Sequence, residues 1–256
     1  MQVKNVPTID ARYWTAIVAA SMCGANMGDF VSRNLHLGHV RGLLPLAMLF
    51  SLVLWAERRA QRATEAYYWL AIIVLRTAAT NLADLASHDL KLNYALIEGG
   101  LTAILVVAVL IGPIRGQAAG SGSQVDRQPR ALPTTDAAYW VAMLTAGTLG
   151  TTSGDFVADN LELGVGLGSV VLDAVLAAVL LISARVGGMS KPWYWLSIVV
   201  ARTAGTTMGD FLASRRGLDL GLLLSLVFTS LLFAGIVSLW RDKGNRRLRA
   251  PNALSG

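Results

Sequence analysis

Four times along this chain of 256 residues a Tyr-Trp pair is followed, 15 residues after the Trp, by an aspartate. The pairs are Tyr13-Trp14, Tyr68-Trp69, Tyr139-Trp140 and Tyr194-Trp195; the acids are Asp29, Asp84, Asp155 and Asp210. The residues between are mostly apolar. A carboxylate at the end of an apolar run, four times at one spacing, constrains the fold more than any other feature. The chain must be a tandem array, with one acid held at the same level in every copy.

The copies pair into halves. "PTIDARYW" at 7–14 corresponds to "PTTDAAYW" at 133–140, and "GDFVSRNLHLG" at 28–38 to "GDFVADNLELG" at 154–164. "RTAATNLAD" at 76–84 corresponds to "RTAGTTMGD" at 202–210, so the halves superpose at an offset of 126. Two successive duplications of a two-helix unit account for this. Residues 1–114 hold units 1 and 2, and residues 134–242 hold units 3 and 4. The join, 115–133, is rich in Gly, Ser, Gln and Pro and reads as a flexible cytoplasmic linker. A basic cytoplasmic tail covers 243–256.

With 54% hydrophobic and 15% charged residues, the chain lies far from soluble composition. Apolar runs fall at 13–32, 42–56, 67–87, 94–113, 138–158, 165–184, 193–213 and 217–240. Most suit a hydrocarbon core of about 30 Å; the second is shortest and carries Pro45. The fold expected is an all-α integral membrane protein of eight transmembrane helices. Its four two-helix units have an even number of spans each, so they run parallel and form a pseudo-twofold, approximately fourfold, bundle. Fifteen loop Lys and Arg residues fall on one side and five on the other. The positive-inside rule then puts both termini in the cytoplasm of a multi-pass bacterial inner-membrane protein. The net charge of +6 is thus a topology signal, and no nucleic-acid-binding motif accompanies it.

A tandem array with Trp near the start and Gly-Asp near the end of each unit's first helix resembles a known family. Its members are bacterial membrane-anchored proteins built from copies of a repeat of unknown function. The resemblance spans about 10–240, and unit 2 departs from it, with Ala83-Asp84 in place of Gly-Asp. It implies an architecture and no activity.

The residues carry the functional reading. Trp14, Trp69, Trp140 and Trp195 read as aromatics at the membrane interface, where a ring is apolar and its N–H needs a wet partner. Each Asp lies about 22 Å along its helix from the Trp. An acid at that depth should face the bundle interior or a water-filled cavity. Gly24 and Gly28, Gly150 and Gly154, and Gly205 and Gly209 form G-x-x-x-G stripes that let helices approach. Three residues before each Asp stands Asn26, Asn81, Thr152 or Thr207, and four before it three units carry Thr80, Thr151 or Thr206. Together these are hard oxygen groups for a cation or proton site, with a divalent cation such as Mg²⁺, Ca²⁺ or Mn²⁺ as the metal they would suit. The competing reading is that the acids only cap or lock helices.

Arg76 and Arg202 interrupt the apolar runs of units 2 and 4, where units 1 and 3 have Ser21 and Gly147. Glu98 and Asp173, in the even-numbered spans, are the expected ion-pair partners; anion binding or gating is the other role. Six acids against two arginines leave an excess of negative charge that burial does not tolerate. Protonation, a bound cation or greater solvation must relieve it.

His36, His39 and His88 read as loop residues, and Cys23 is the sole cysteine. The residue three before each Asp is never Gly and no Tyr-Asp occurs, unlike the intramembrane aspartyl proteases. No nucleophile triad, Walker loop or haem motif appears, so the chain does not read as an enzyme. The sequence points to a transporter or exporter of a small cation, or a proton-coupled carrier of a small solute. The alternative is a non-transporting membrane scaffold or accessory subunit whose aspartates are structural. The lipid bilayer and a small cation or proton are the partners implied. No other cofactor is.

Overall fold

The computed structural model describes residues 6–61, 64–112, 135–186 and 189–248, with side chains through residue 239. Eight helices follow in order: α1 (Ala11–Asp29), α2 (Gly38–Arg59), α3 (Ala66–Asp84), α4 (Tyr94–Ile111), α5 (Ala137–Asp155), α6 (Gly164–Arg185), α7 (Lys191–Ala213) and α8 (Leu222–Leu248). No strand occurs among the described residues. The linker expected at 115–133 lies outside them, as does 249–256 of the tail. Helix α8 runs past the expected boundary at 242 to Leu248, and α2 continues through Pro45.

The motif "PT-x-D" that opens each half is a helix start. The Asp10 carboxylate accepts from the backbone N–H of Arg12 (2.9 Å) and Tyr13 (3.0 Å), and Asp136 accepts from Tyr139 N–H (2.8 Å). Each acid thereby satisfies amide donors that an α-helix leaves free at its first turn. Helix α7 instead begins with Lys191-Pro192, where a missing N–H costs nothing.

The odd helices form a closed inner ring: α1 packs on α3, α3 on α5, α5 on α7 and α7 on α1. Each even helix lies outside the ring against the odd helix of the following unit, α2 on α3, α4 on α5, α6 on α7 and α8 back on α1. Five helical stretches are long and apolar enough to cross a membrane: Gly38–Arg59, Ala66–Asp89, Tyr94–Ile111, Gly164–Arg185 and Leu222–Leu239. These mark a membrane protein. All four even helices are among them, and they turn large apolar side chains outward; on α2 these are Val40, Leu44, Met48, Leu52 and Trp55. Helices α1, α5 and α7 are less apolar for a physical reason. Their Gly, Ser, Thr and Asn residues face one another in the ring, where small size matters more than transfer energy.

The ring is tight because one small residue faces a larger one at every contact. A Cβ on Gly24 would overlap the Arg76 side chain, and one on Gly150 would lie 2.6 Å from Arg202 Cβ. A Cβ on Gly205 would overlap Ser21 Cβ. The fourth contact reverses the order: Ala79 takes the glycine's place and Gly147 takes that of the larger residue, whose Cβ would be 2.8 Å from Ala79 Cβ. Unit 2's departure from the glycine pattern is therefore compensated in unit 3.

Beyond Asp29, Asp84 and Asp155 the helices widen into π-helical turns, Phe30–Asn34, Leu85–Asp89 and Phe156–Asn160. Each is followed by a left-handed residue, His36 (φ 54°), Lys91 (φ 51°) or Glu162 (φ 56°), before the chain reverses. The fourth unit has no such turn; α7 stays α-helical past Asp210 to Ala213.

Candidate functional site

The centre of the ring is a polar column built in layers from equivalent positions of the four units. At one end stand the tyrosines. Tyr13, Tyr68, Tyr139 and Tyr194 are buried, and their hydroxyls close a square: Tyr13–Tyr68 2.9 Å, Tyr68–Tyr139 2.8 Å, Tyr139–Tyr194 3.0 Å and Tyr194–Tyr13 2.7 Å. Each hydroxyl can donate once and accept once, so the square satisfies all four. Every Tyr meets its own Trp edge-on at 5.2 Å, and leans on the next unit's Trp at 5.6–6.1 Å.

This corrects the interfacial reading of Trp14, Trp69, Trp140 and Trp195. The indoles are buried between helices rather than set among lipid headgroups. The tyrosines find their polar partners in one another, which no single helix reveals. The signal was present, since a Tyr precedes the Trp in all four units.

The next layer holds Arg76 and Arg202, both fully buried. They occupy equivalent positions and repel one another across the axis, and they leave it in opposite directions. Arg76 turns toward the aspartate end. Its Nη1 donates to Thr151 Oγ1 (2.8 Å), Thr80 Oγ1 (3.2 Å) and the Gly147 carbonyl (3.4 Å), and its Nη2 donates to Thr206 Oγ1. Each threonine sends its own proton to the carbonyl one turn back, Arg76 O, Gly147 O or Arg202 O, and so presents a lone pair to the guanidinium. Arg76 thus ties α3, α5 and α7 together. Unit 1 has Ala25 in place of a threonine.

Arg202 turns toward the tyrosines. Its Nη2 meets only Met143 Sδ at 3.7 Å, and among the described residues its Nε and Nη1 have no hydrogen-bond partner. All four tyrosines lie within its electrostatic reach.

Neither arginine has a carboxylate at ion-pair distance among the described residues. The expected pairing with Glu98 and Asp173 is not what the structure contains. Glu98, on α4, accepts from Thr152 Oγ1 (2.6 Å) and Ser153 Oγ (2.9 Å) of α5. Asp173 is half-buried on α6 and has no ion pair among the described residues. The even helices lie outside the ring, so acids on them cannot reach its axis.

The same geometry separates two sets of residues that share a turn. Thr80, Thr151 and Thr206 face the axis. Of the set three residues before each Asp, Thr152 faces Glu98 on α4, and Asn81 lies against Gly42 on α2, where a Cβ would come within 2.8 Å of the Asn81 amide nitrogen. Asn26 and Thr207 are buried in α1 and α7; Thr207 Oγ1 bonds to the Ala204 carbonyl (2.9 Å) of its own helix. The structure does not assemble this set with the aspartates.

Asp29, Asp84, Asp155 and Asp210 gather at the other end of the column, every pair within electrostatic range. Asp29 has Arg33 at 3.4 Å. Asp84 is the most enclosed, with His39 Nε2 and His88 Nδ1 each at 3.7 Å. His39 also meets Asp89 at 2.9 Å, clasping the π-turn of unit 2 to the start of α2. The histidines read as loop residues therefore include two that meet the aspartate layer, His39 and His88. No group of three or more His, Cys, Asp or Glu among the described residues is placed to hold a metal ion.

Comparison with known proteins agrees with the repeat architecture. Residues 12–63, 138–188 and 193–242 match the family described as Repeat of Unknown Function (DUF347). No curated protein and no solved structure matches the chain. The stretch between the first two matches holds unit 2, in which Ala79 and Ala83 replace the glycines. Three matched segments cover more than half of the sequence, and the chain belongs to the DUF347 repeat family.

Proposed function

We propose that this protein is a proton-coupled carrier of a small solute in the bacterial inner membrane. All eight helices cross the bilayer in this reading, the four units run parallel, and the basic loops hold both termini in the cytoplasm. The tyrosine square then closes the cytoplasmic end of the axis and the aspartates line the outer end. One observation carries the proposal: two fully buried arginines stand inside the ring, near its axis, without carboxylate partners among the described residues. Burying a charge is costly, and a protein that needed only a packed core would do without both.

The same arginines argue against the cation path that the aspartates alone suggest. A cation moving along the axis would meet two fixed positive charges. The aspartates serve better as proton sites, and the described residues supply no metal ligand set. Nucleic acid and enzymatic chemistry have no part in this reading.

A specific observation favours the alternative of a scaffold. The hydroxyl square and the close glycine contacts fill the inner ring, and Arg76 works as a tie between three helices.

The test uses purified protein in liposomes loaded with a pH-sensitive dye, facing a panel of small salts and organic acids. A carrier dissipates an imposed pH gradient in the presence of its solute. Asp155→Asn and Asp210→Asn should abolish that flux and leave the thermal midpoint near wild type. If wild-type protein moves no protons with any solute, or if each change simply unfolds it, the scaffold reading replaces this one.

A further inference from the structure

The two arginines are equivalent in the repeat and unequal in their surroundings. Arg76 has four acceptors from three helices, whereas Arg202 has only a thioether among the described residues. Buried polar groups almost always find partners, and an exception calls for an ion or water at the site. A guanidinium cannot relieve the strain by losing its proton, because it stays charged in proteins. The buried Arg202 guanidinium therefore offers unused charged donors to a ligand with acceptor capacity.

The geometry points to a binding site for a small monovalent anion of the halide class, held between the Arg202 guanidinium and the tyrosine square. This deepens the carrier reading, on which its role in transport rests, by naming the solute. The donors suit the task. Nε and Nη1 are two charged donors unused among the described residues. All four tyrosine O–H groups lie within electrostatic reach of the guanidinium, and each is bonded to its neighbours in the square. A hydroxyl proton rotates freely about the C–O bond, so any of the four can leave the square and donate to an anion below it. Arg76 directs its own donors to its threonines. The Met143 thioether offers a soft, polarisable wall.

The asymmetry also explains why only one of the two equivalent positions forms a site. Related by the twofold, the threonine that serves Arg76 as Thr151 becomes Ala25 for Arg202, and Thr80 and Thr206 are already engaged by Arg76. Arg202 is left without the three threonine acceptors and turns to the other end of the column.

The experiment titrates sodium chloride and sodium bromide into full-length protein in detergent, with sodium gluconate holding ionic strength constant. Binding should raise the thermal midpoint with the logarithm of halide concentration, by about 4 °C near ten times the dissociation constant. Arg202→Met should retain the fold, since the change removes an unpartnered charge, and should lose the halide effect entirely. A Tyr139→Phe variant should keep binding with affinity reduced about tenfold or less, one hydroxyl of four being gone. The inference is overturned if chloride and bromide give no concentration-dependent shift beyond gluconate in wild type, or if the shift survives Arg202→Met. A high-resolution map showing only water at the guanidinium in bromide-soaked crystals would also overturn it. Halide binding without flux would sustain this site and defeat the carrier; proton-coupled flux without halide binding would do the reverse.

Discussion

Substituting Gly205 by Ala places one methyl group at the close contact between α7 and α1. The new Cβ would overlap Ser21 Cβ and lie 2.8 Å from the Val18 carbonyl oxygen. Alanine gains about 1 kcal/mol over glycine in a helix interior. Forcing a methyl into a packed contact costs about 1–3 kcal/mol, and the upper end applies because one neighbour is backbone. The net loss is about 1–2 kcal/mol, which lowers the midpoint by about 4 °C in a protein of this size. The Ala79–Gly147 contact shows how the ring accepts an alanine: the facing residue becomes glycine. Adding Ser21→Gly to Gly205→Ala copies that arrangement. It should recover about half the loss, with a coupling energy of about 1 kcal/mol in the double-mutant cycle. Recovery stays partial because the Val18 carbonyl does not move. Reversible unfolding of the four proteins in mixed micelles measures all terms. If Gly205→Ala unfolds at or above the wild-type midpoint, the close approach of α1 and α7 is refuted. Zero coupling would refute the pairing rule and leave the clash.

Two further outcomes follow from the polar column. Tyr13→Phe deletes one corner of the square and strands a neighbouring hydroxyl donor, a loss of about 1–3 kcal/mol, whereas removing all four hydroxyls strands none. The quadruple Phe variant should therefore cost far less than four times the single change, as read by thermal unfolding. Thr151→Val removes the 2.8 Å acceptor of Arg76 and a hydrogen bond to a charged group. It should cost about 1.5–3 kcal/mol, while Thr148→Val, whose hydroxyl bonds only its own helix, should be near neutral by the same measurement.

The sequence carried the architecture in one number, the constant interval from Trp to Asp, and in the glycines that step along each odd helix. Both are properties of a single helix repeated, so a single chain displays them. What it concealed depends on which helices are neighbours. The tyrosines looked like half of an interfacial pair because their partners are other tyrosines 55, 71 or 181 residues away. The arginines were matched with acids on the even helices because a count of charges invites pairing. Thr80, Thr151 and Thr206 read as oxygen ligands for a cation, whereas their lone pairs, aimed by bonds to their own helices, serve an arginine. The turn of helix before each Asp looked uniform, although one position faces the axis and the next faces an outer helix. A separation of about 100° between successive residues suffices for that.

The ring closes head to tail, with α8 lying on α1 as α2 lies on α3. A chain stopping after α4 would expose α1 where α7 and α8 should sit, and would leave α3 and α4 facing nothing. Those two open edges complement one another, so two such chains side by side would restore every contact of the ring. Joining them in one polypeptide adds no interface. It frees the two halves to differ, so Arg202 can lose the threonine that Arg76 retains.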